Sequence, residues 1–375
     1  MKTKGALLYG VGQDWQVEEI EVGDPLPGEV MVRLAASGLC HSDDHLVTGD
    51  IPVPRWPVLG GHEGAGVVIK VGAAVTRVAE GDHVIVSLAA CGACEPCREG
   101  HQNVCDESRR YLTGEMIADD GFRVTNKDGV GVTQFCLEGT FAPYATLSQF
   151  SVVKIDKDVP LHLAALIGCC VTSGWGAAMR TADVGPGDLV VIAGFGGLGA
   201  SALFASIAAG AAHIIVIDPL PNKQEMALKL GASQTFGSFE EAFEPLAQLS
   251  NGAMAHKVIL TIGVMKGSYI EPAMQLVRKH GALAVIGLGS STDHDVKLNL
   301  QSMTGMNKEI RGGQAGGGSP QEDAQMLVRM YKAGRLPLDV LVTKTYTLEE
   351  INQGYQDMHD GKNLRGLILY GENDY

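Results

Sequence analysis

The 375-residue chain has no run of Lys or Arg longer than two residues, and its formal net charge is −14. An acidic balance without a basic patch excludes the electrostatic footprint that nucleic acid or anionic lipid requires, so neither is an expected partner. A long apolar leader is also missing. The opening MKTKGALLYGVGQDW breaks its short apolar stretch with Gly, Gln and Asp, and no secretory segment is expected. Cysteine is scarce, eight residues in all, and four of them fall within residues 91–105. So few thiols in a chain long enough for more than one core argue against a disulfide framework, and the expected compartment is the reducing cytoplasm. Charge is absent from Leu189 to Ile217, a run of 29 residues long enough to span a bilayer. Gly194, Gly196, Gly197, Gly199 and Gly210 interrupt it, and its ends, LVVIA and HIIVID, are β-branched. The run predicts strand, glycine turn, helix and strand, and no membrane span.

The clustered cysteines are CGACEPCREGHQNVC, in which Cys91, Cys94 and Cys97 recur every third residue and Cys105 follows after seven more. One loop with that spacing can fold four thiolates around a tetrahedral zinc. A ferredoxin run would continue with a three-residue gap and Cys-Pro, whereas here the last cysteine is followed by Asp106. Glu95, Arg98, Glu99, His101, Gln102 and Asn103 make the segment too polar for a packed strand of buried thiols. Cys91, Cys94, Cys97 and Cys105 are therefore expected to hold one closed, structural zinc.

Two rhythms divide the chain. Up to about residue 165, short Val/Ile runs such as EVMVRLAA and GDHVIVSL lie among Gly and Pro, which predicts a twisted β domain with long loops. From about Thr172, the apolar strands DLVVIAG, HIIVIDP, HKVILTIG and GALAVIGLG alternate with helix-length segments, which predicts an α/β, doubly wound parallel sheet with right-handed crossovers. YIEPAMQLVRKHG reads as one of those helices. After the glycine-rich RGGQAGGGSP come two helical stretches and a last strand, LRGLILYG. The expected divisions are 1–171, 172–310 and 311–375, with no internal repeat.

GFGGLG, residues 194–199, satisfies G-x-G-x-x-G between a strand and a helix, and Asp218 ends the next strand 19 residues after Gly199. That context marks a Rossmann dinucleotide site. Gly194 serves the tight turn, Gly196 the approach of the pyrophosphate, and Gly199 the packing of helix on strand, with Gly197 and Leu198 completing the loop. Asp218 suits ribose hydroxyls and repels a 2′-phosphate, and the residues after it, Pro219 and Leu220, supply no Arg. NAD is the expected dinucleotide.

GLCHSDDH (38–45) places Cys40 close to Ser42 and His45, and GGHEGAG (60–66) sets His62 and Glu63 between glycines. With LIGCCVTSGWG (166–176), these motifs closely resemble the zinc-dependent medium-chain alcohol dehydrogenases over essentially the whole chain. GHEGAGVV, CLEGTFAPYA and LIGCCVTSGWG are most similar to the actinobacterial nicotinoprotein branch, which is nitroso-acceptor-dependent and mycofactocin-associated.

The resemblance implies a GroES-like catalytic domain to which the C-terminal segment returns, and two zinc ions per chain. It implies Cys40, His62 and Cys169 as catalytic-zinc ligands, with Glu63 as the acidic neighbour; Cys170, beside Cys169, leaves that assignment open by one residue. It further implies that Ser42 takes the alcohol proton and that His45 is the far end of the relay to solvent, through the nicotinamide ribose. His41, Lys223 and Arg365 fall at positions that face the dinucleotide. The implied reaction is reversible oxidation of a small-molecule alcohol to an aldehyde or ketone by a homodimer or homotetramer, with an exchangeable or tightly bound NAD and, in the latter case, an external electron acceptor. Oxidation of a thiol–formaldehyde adduct is an alternative, as is a zinc hydrolase, in which the dinucleotide motif would be idle. A zinc-free relative would lack Cys40, His62 or Cys169. Ser87, Leu88, Trp56 and Phe141 are candidates for the pocket wall.

Overall fold

A computed structural model describes residues 1–375. The chain forms two compact units, Met1–Cys169 with Gly318–Tyr375, and Cys170–Gly317. The sequence reading placed the divisions at 171/172 and 310/311.

The first unit is built mostly on antiparallel strands, and its central strand is buried along nearly its whole length, Arg33 being the exposed exception. Strand Glu29–Gly38 is its centre, pairing with Gly64–Val71, with Tyr144–Ser148 and with Arg365–Leu369. The last of these aligns Leu367 with Gly38, so the C-terminal segment completes a sheet begun near the N-terminus. Leu7, Ile20, Val30, Val32, Leu34, Leu46 and Phe141 belong to its core. Phe141, a candidate pocket wall, is fully buried here, edge-on to Trp15 at 5.5 Å.

The second unit is a six-stranded sheet. Taken across the sheet, its strands run 234–236, 213–217, 189–193, 255–260, 277–285 and 309–312, all parallel. In chain order this is 3-2-1-4-5-6, the doubly wound arrangement whose ligand crevice opens at the carboxyl ends where the order reverses. The charge-free run is resolved as the reading anticipated: strand Leu189–Ala193, helix Gly197–Ala208, strand His213–Ile217. No single helix is long and apolar enough to cross a membrane.

Two elements differ from expectation. The helix read through YIEPAMQLVRKHG stops at Leu276, and Val277 opens a strand because it pairs with Ala255, so sheet pairing overrides local helix propensity. The glycine-rich segment begins inside a strand, Glu309–Gly312, which zips alongside Ala282–Val285. Glycine lacks a β signal, and only the neighbouring strand reveals this one.

Candidate active site and its two metal centres

Cys40 caps the N-terminus of the helix His41–Thr48, and the N–H groups of Asp43 and Asp44 bond its carbonyl. His62 and Glu63 lie in a turn that enters the strand Gly64–Val71, made possible by Gly61 at φ 87°. Cys169 follows the short helical turn Ala165–Gly168. The ligand atoms of Cys40, His62 and Cys169 lie within 4.8 Å of one another. The pattern thus selects Cys169 over Cys170, which is buried without joining the cluster.

The chemistry of this set fits zinc. Two sulfurs and one imidazole form a soft, three-point site that leaves one tetrahedral position for a substrate oxygen. The thiol of Cys169 hydrogen-bonds Cys40 and holds its pKa well below the ordinary thiol range, against the cost of burial and with help from the nearby Arg365 and His62. The same sharing, added to by burial, pushes Cys169 upward. The two thiols therefore titrate as a coupled pair, and a bound dication would favour the thiolate at both. Burial disfavours a charged His62, but the carboxylate of Asp43 and the two sulfurs outweigh it and hold the imidazole well above its usual range. That surplus of negative charge is what a metal ion uses.

Asp43 is the residue that sequence reasoning missed. Its Oδ2 lies 3.1 Å from His62 Nδ1, and its Oδ1 accepts the Gly61 N–H at 2.7 Å. One buried carboxylate thus lies in ion-pair contact with the histidine ring and pins the backbone at Gly61, next to it. An acidic residue beside a candidate ligand cysteine was the available signal, because a ligating histidine needs a partner for its second nitrogen. Phe135 also meets His62, edge to face at 5.4 Å. Burial pushes the Glu138 carboxyl well above its ordinary range, against the pull of the nearby His62.

Glu63 is fully buried and receives Arg365 through Nη2 at 2.7 Å and Nε at 3.2 Å. The guanidinium, expected beside the dinucleotide, thus neutralises the acidic neighbour of the metal ligands. Ser42 and His45 sit three residues apart on the helix and so share a face. Cys40 Sγ is 3.7 Å from Ser42 Oγ. His45, read as the solvent end of a relay, is only 2 % exposed, and its Nδ1 lies 3.0 Å from Asp50 Oδ2. Burial lowers the basicity of His41, and the charges of Cys40 and Asp44 partly restore it.

The four-cysteine lobe is a second cluster, with Cys91, Cys94, Cys97 and Cys105 ligand atoms within 4.8 Å of one another. The N–H groups of Ala93 and Cys94 point at Cys91 Sγ, and that of Cys91 at Cys105 Sγ. Backbone donors aimed at sulfur favour thiolates. Hydrogen bonding from the backbone N–H of Asp106 leads the effects that bring Cys94 down to about 7. All four positions are filled by protein, which fits a closed site.

In the second unit, Gly196 caps the helix that begins with Gly197 and Leu198. A Cβ on Gly199 would clash with the Gly194 carbonyl, whereas one on Gly196 would meet nothing, so the loop is tight on its protein side and open at the helix N-terminus. The Asp218 oxygens accept the N–H groups of Phe195 at 2.7 Å and Leu220 at 3.0 Å, and keep lone pairs for ribose hydroxyls. Lys223 is buried near Asp218; burial lowers its pKa and the carboxylate partly restores it. These groups fit a dinucleotide.

Comparisons with known proteins agree with this chemistry. Residues 26–157 match a family model described as an alcohol dehydrogenase GroES-like domain, and residues 197–333 one described as a zinc-binding dehydrogenase. The chain is 46% identical over 375 residues to alcohol dehydrogenase B of Mycobacterium tuberculosis, covering 100% of both chains. It is 43% identical over 371 residues to the NDMA-dependent alcohol dehydrogenase of Amycolatopsis methanolica, covering 99% of each. Among solved structures, the alcohol dehydrogenase zinc-binding domain protein of Burkholderia ambifaria superposes with a TM-score of 0.93 at 30% identity, over 99% of this chain and 100% of that one.

Proposed function

The chain belongs to the zinc-dependent medium-chain alcohol dehydrogenases, uses zinc and NAD, and acts on small-molecule alcohols or aldehydes; from that premise we propose that it keeps its NAD bound between turnovers and passes electrons to an external acceptor. The observation that carries the chemistry is the three-ligand cluster of Cys40, His62 and Cys169, with one coordination position left over. The retention of NAD is supported by the 43% identity to an NDMA-dependent relative.

When bound, zinc supplies Lewis acidity toward the alcohol oxygen, and NAD supplies the hydride acceptor. The rest is done by the chain. Asp43 holds the His62 ring, and the Arg365–Glu63 pair keeps a buried carboxylate neutralised beside it. Ser42 takes the hydroxyl proton of the alcohol, and His45, on the same face of the helix, is the far end of a relay that the nicotinamide ribose would complete. The Gly194–Gly199 loop and its helix N-terminus bind the pyrophosphate, with Lys223 adding a donor, while Asp218 accepts the ribose hydroxyls. Pairing of subunits along the edge strand Glu309–Gly312, and a cytoplasmic location, form part of the same proposal.

Protein freed of small molecules by gel filtration is expected to carry about one NAD(H) per chain, and to oxidise alcohol with a nitroso acceptor, without added NAD and without added thiol. Nucleotide-free protein with full activity on added NAD would overturn the retention. An absolute requirement for thiol would instead indicate the formaldehyde-adduct reaction.

Cofactor choice is expected to depend on Asp218. Replacing a carboxylate that accepts two hydroxyls, by Asp218→Ser with Pro219→Arg, removes charged hydrogen bonds and a repulsion. The expected change in the ratio of NADP to NAD bound is about 100-fold. It is measured as the two nucleotides recovered from protein equilibrated with both. A ratio unchanged from wild type would remove Asp218 from the ribose site.

A further inference from the structure

A proton relay has to end in water, yet the His45 side chain is 2 % exposed. The chain supplies an exit next to it. The helix His41–Thr48 is closed by Gly49 in the left-handed conformation, φ 80°, and the Ile51 N–H then bonds back to the His45 carbonyl at 3.2 Å. This reversal brings Asp50 alongside the ring, Oδ2 at 3.0 Å from Nδ1. The Asp50 side chain is 21 % exposed, and Thr48 Oγ1 donates to the same carboxylate oxygen at 2.6 Å, which anchors it.

We propose that Asp50 is the positioning residue of the relay: its carboxylate sets the His45 tautomer and passes the proton from the buried ring to solvent. The proposal rests on the reading of Ser42 and His45 as a relay and deepens it. An ionised carboxylate only accepts hydrogen bonds, so a neutral His45 places its proton on Nδ1 and keeps the Nε2 lone pair as the acceptor. When Nε2 takes a proton, the imidazolium is paired with the carboxylate. The Nδ1 proton then moves to Asp50 Oδ2 and from there to water, so that one proton enters the ring and one leaves. In aldehyde reduction the carboxylate takes its proton from water and the sequence runs backward. On this helix Asp43 is engaged by His62 and the Gly61 N–H; the remaining titratable neighbours are His41, close enough to feel the charge of His45, and Asp44, which is engaged by His359 at 2.8 Å from the helix Ile351–His359. Neither offers the ring nitrogen the 3.0 Å contact that Asp50 does.

The test compares Asp50→Asn, Asp50→Glu, His45→Gln and the Asp50→Asn/His45→Gln double variant. The rate of nicotinamide reduction by alcohol is followed in a single turnover with NAD saturating, across pH 6 to 9. Asp50→Asn, which can still accept from Thr48, is expected to slow the step by about tenfold at the acid end and far less at the alkaline end, where hydroxide substitutes for the relay. The alcohol KM is expected to stay unchanged, and Asp50→Glu to recover most of the rate. Adding Asp50→Asn to His45→Gln is expected to cost nothing further. A wild-type pH profile for Asp50→Asn alongside a slowed His45→Gln sinks the Asp50 assignment and leaves the relay standing. Additive losses also sink it, since Asp50 would then act apart from His45. A wild-type profile for His45→Gln brings down the relay and the proposal together.

Discussion

Cys40→Ser is expected to lower alcohol oxidation by about three orders of magnitude or more while nucleotide binding survives. The substitution is nearly isosteric, so the N-cap position and the helix it opens remain. What changes is the donor. A serine hydroxyl is a poor, neutral ligand where a thiolate stood, and it leaves Cys169 and His62 as a two-point site. A Lewis acid at the reacting oxygen stabilises developing charge by several kcal/mol, and about 4 kcal/mol corresponds to about a thousandfold in rate. The Gly194–Gly199 loop and Asp218 belong to the other compact unit, which is why binding of the dinucleotide is untouched. Metal analysis should show one zinc in place of two, and single-turnover kinetics the loss of rate. A variant that keeps both zinc ions and its rate would mean that Cys40 is no ligand.

Cys97→Ser is expected to act on stability instead. The lobe has almost no apolar core of its own: Ala90, Cys97 and Cys105 are buried, with Cys91, Cys94 and Phe150 packed partly against them. Its helices are short, Glu95–Arg98 and Gln102–Val104. Segments this short do not hold a shape through propensity, so the free energy of metal binding is the main term that orders residues 91–105. Loss of about 3 kcal/mol in a protein of this size lowers the melting temperature by about 4 °C. Calorimetry and metal content measure the effect. Below the transition, turnover per zinc-loaded catalytic site is expected to be nearly normal. Iron in place of zinc, or a melting temperature unchanged after the substitution, would remove the four-thiolate reading of the lobe.

The contrast between these two cysteines shows where sequence is informative. Cys91, Cys94, Cys97 and Cys105 are local to one another, so their spacing alone states a geometry that the folded lobe repeats. The dinucleotide loop is legible for the same reason. Strand, glycine turn, helix and a terminal acid all fall within a few tens of residues, and the constraint that makes Gly199 necessary is contact with Gly194, five positions away.

Other parts of the site have no such local record. Cys169 and Cys170 are equivalent as neighbours in a sequence, and only the fold decides which one meets Cys40 and His62. Arg365 reads as a basic residue facing the dinucleotide, and only strand pairing across the sheet reveals its contact with Glu63, 302 positions earlier in the chain. Asp43 looks like a helix-dipole acid until the turn at Gly61 brings His62 onto it. His45 reads as a surface residue at the end of a relay, and burial of the helix moves the exit to Asp50.

The sequence by itself determined the two-part architecture, the four-thiolate lobe and the dinucleotide loop, because hydrophobic period, glycine placement and ligand spacing are short-range quantities that each segment carries alone, whereas the catalytic residues were named by the resemblance of their motifs to a known family. Tertiary structure decided which cysteine completes the catalytic cluster, which acid steadies the histidine, where Arg365 spends its charge, and how far the relay histidine lies from water. Those are properties of distance and burial. They are set by long-range strand pairing and by the cost of leaving buried charge unpartnered, neither of which is a property of any single stretch of chain.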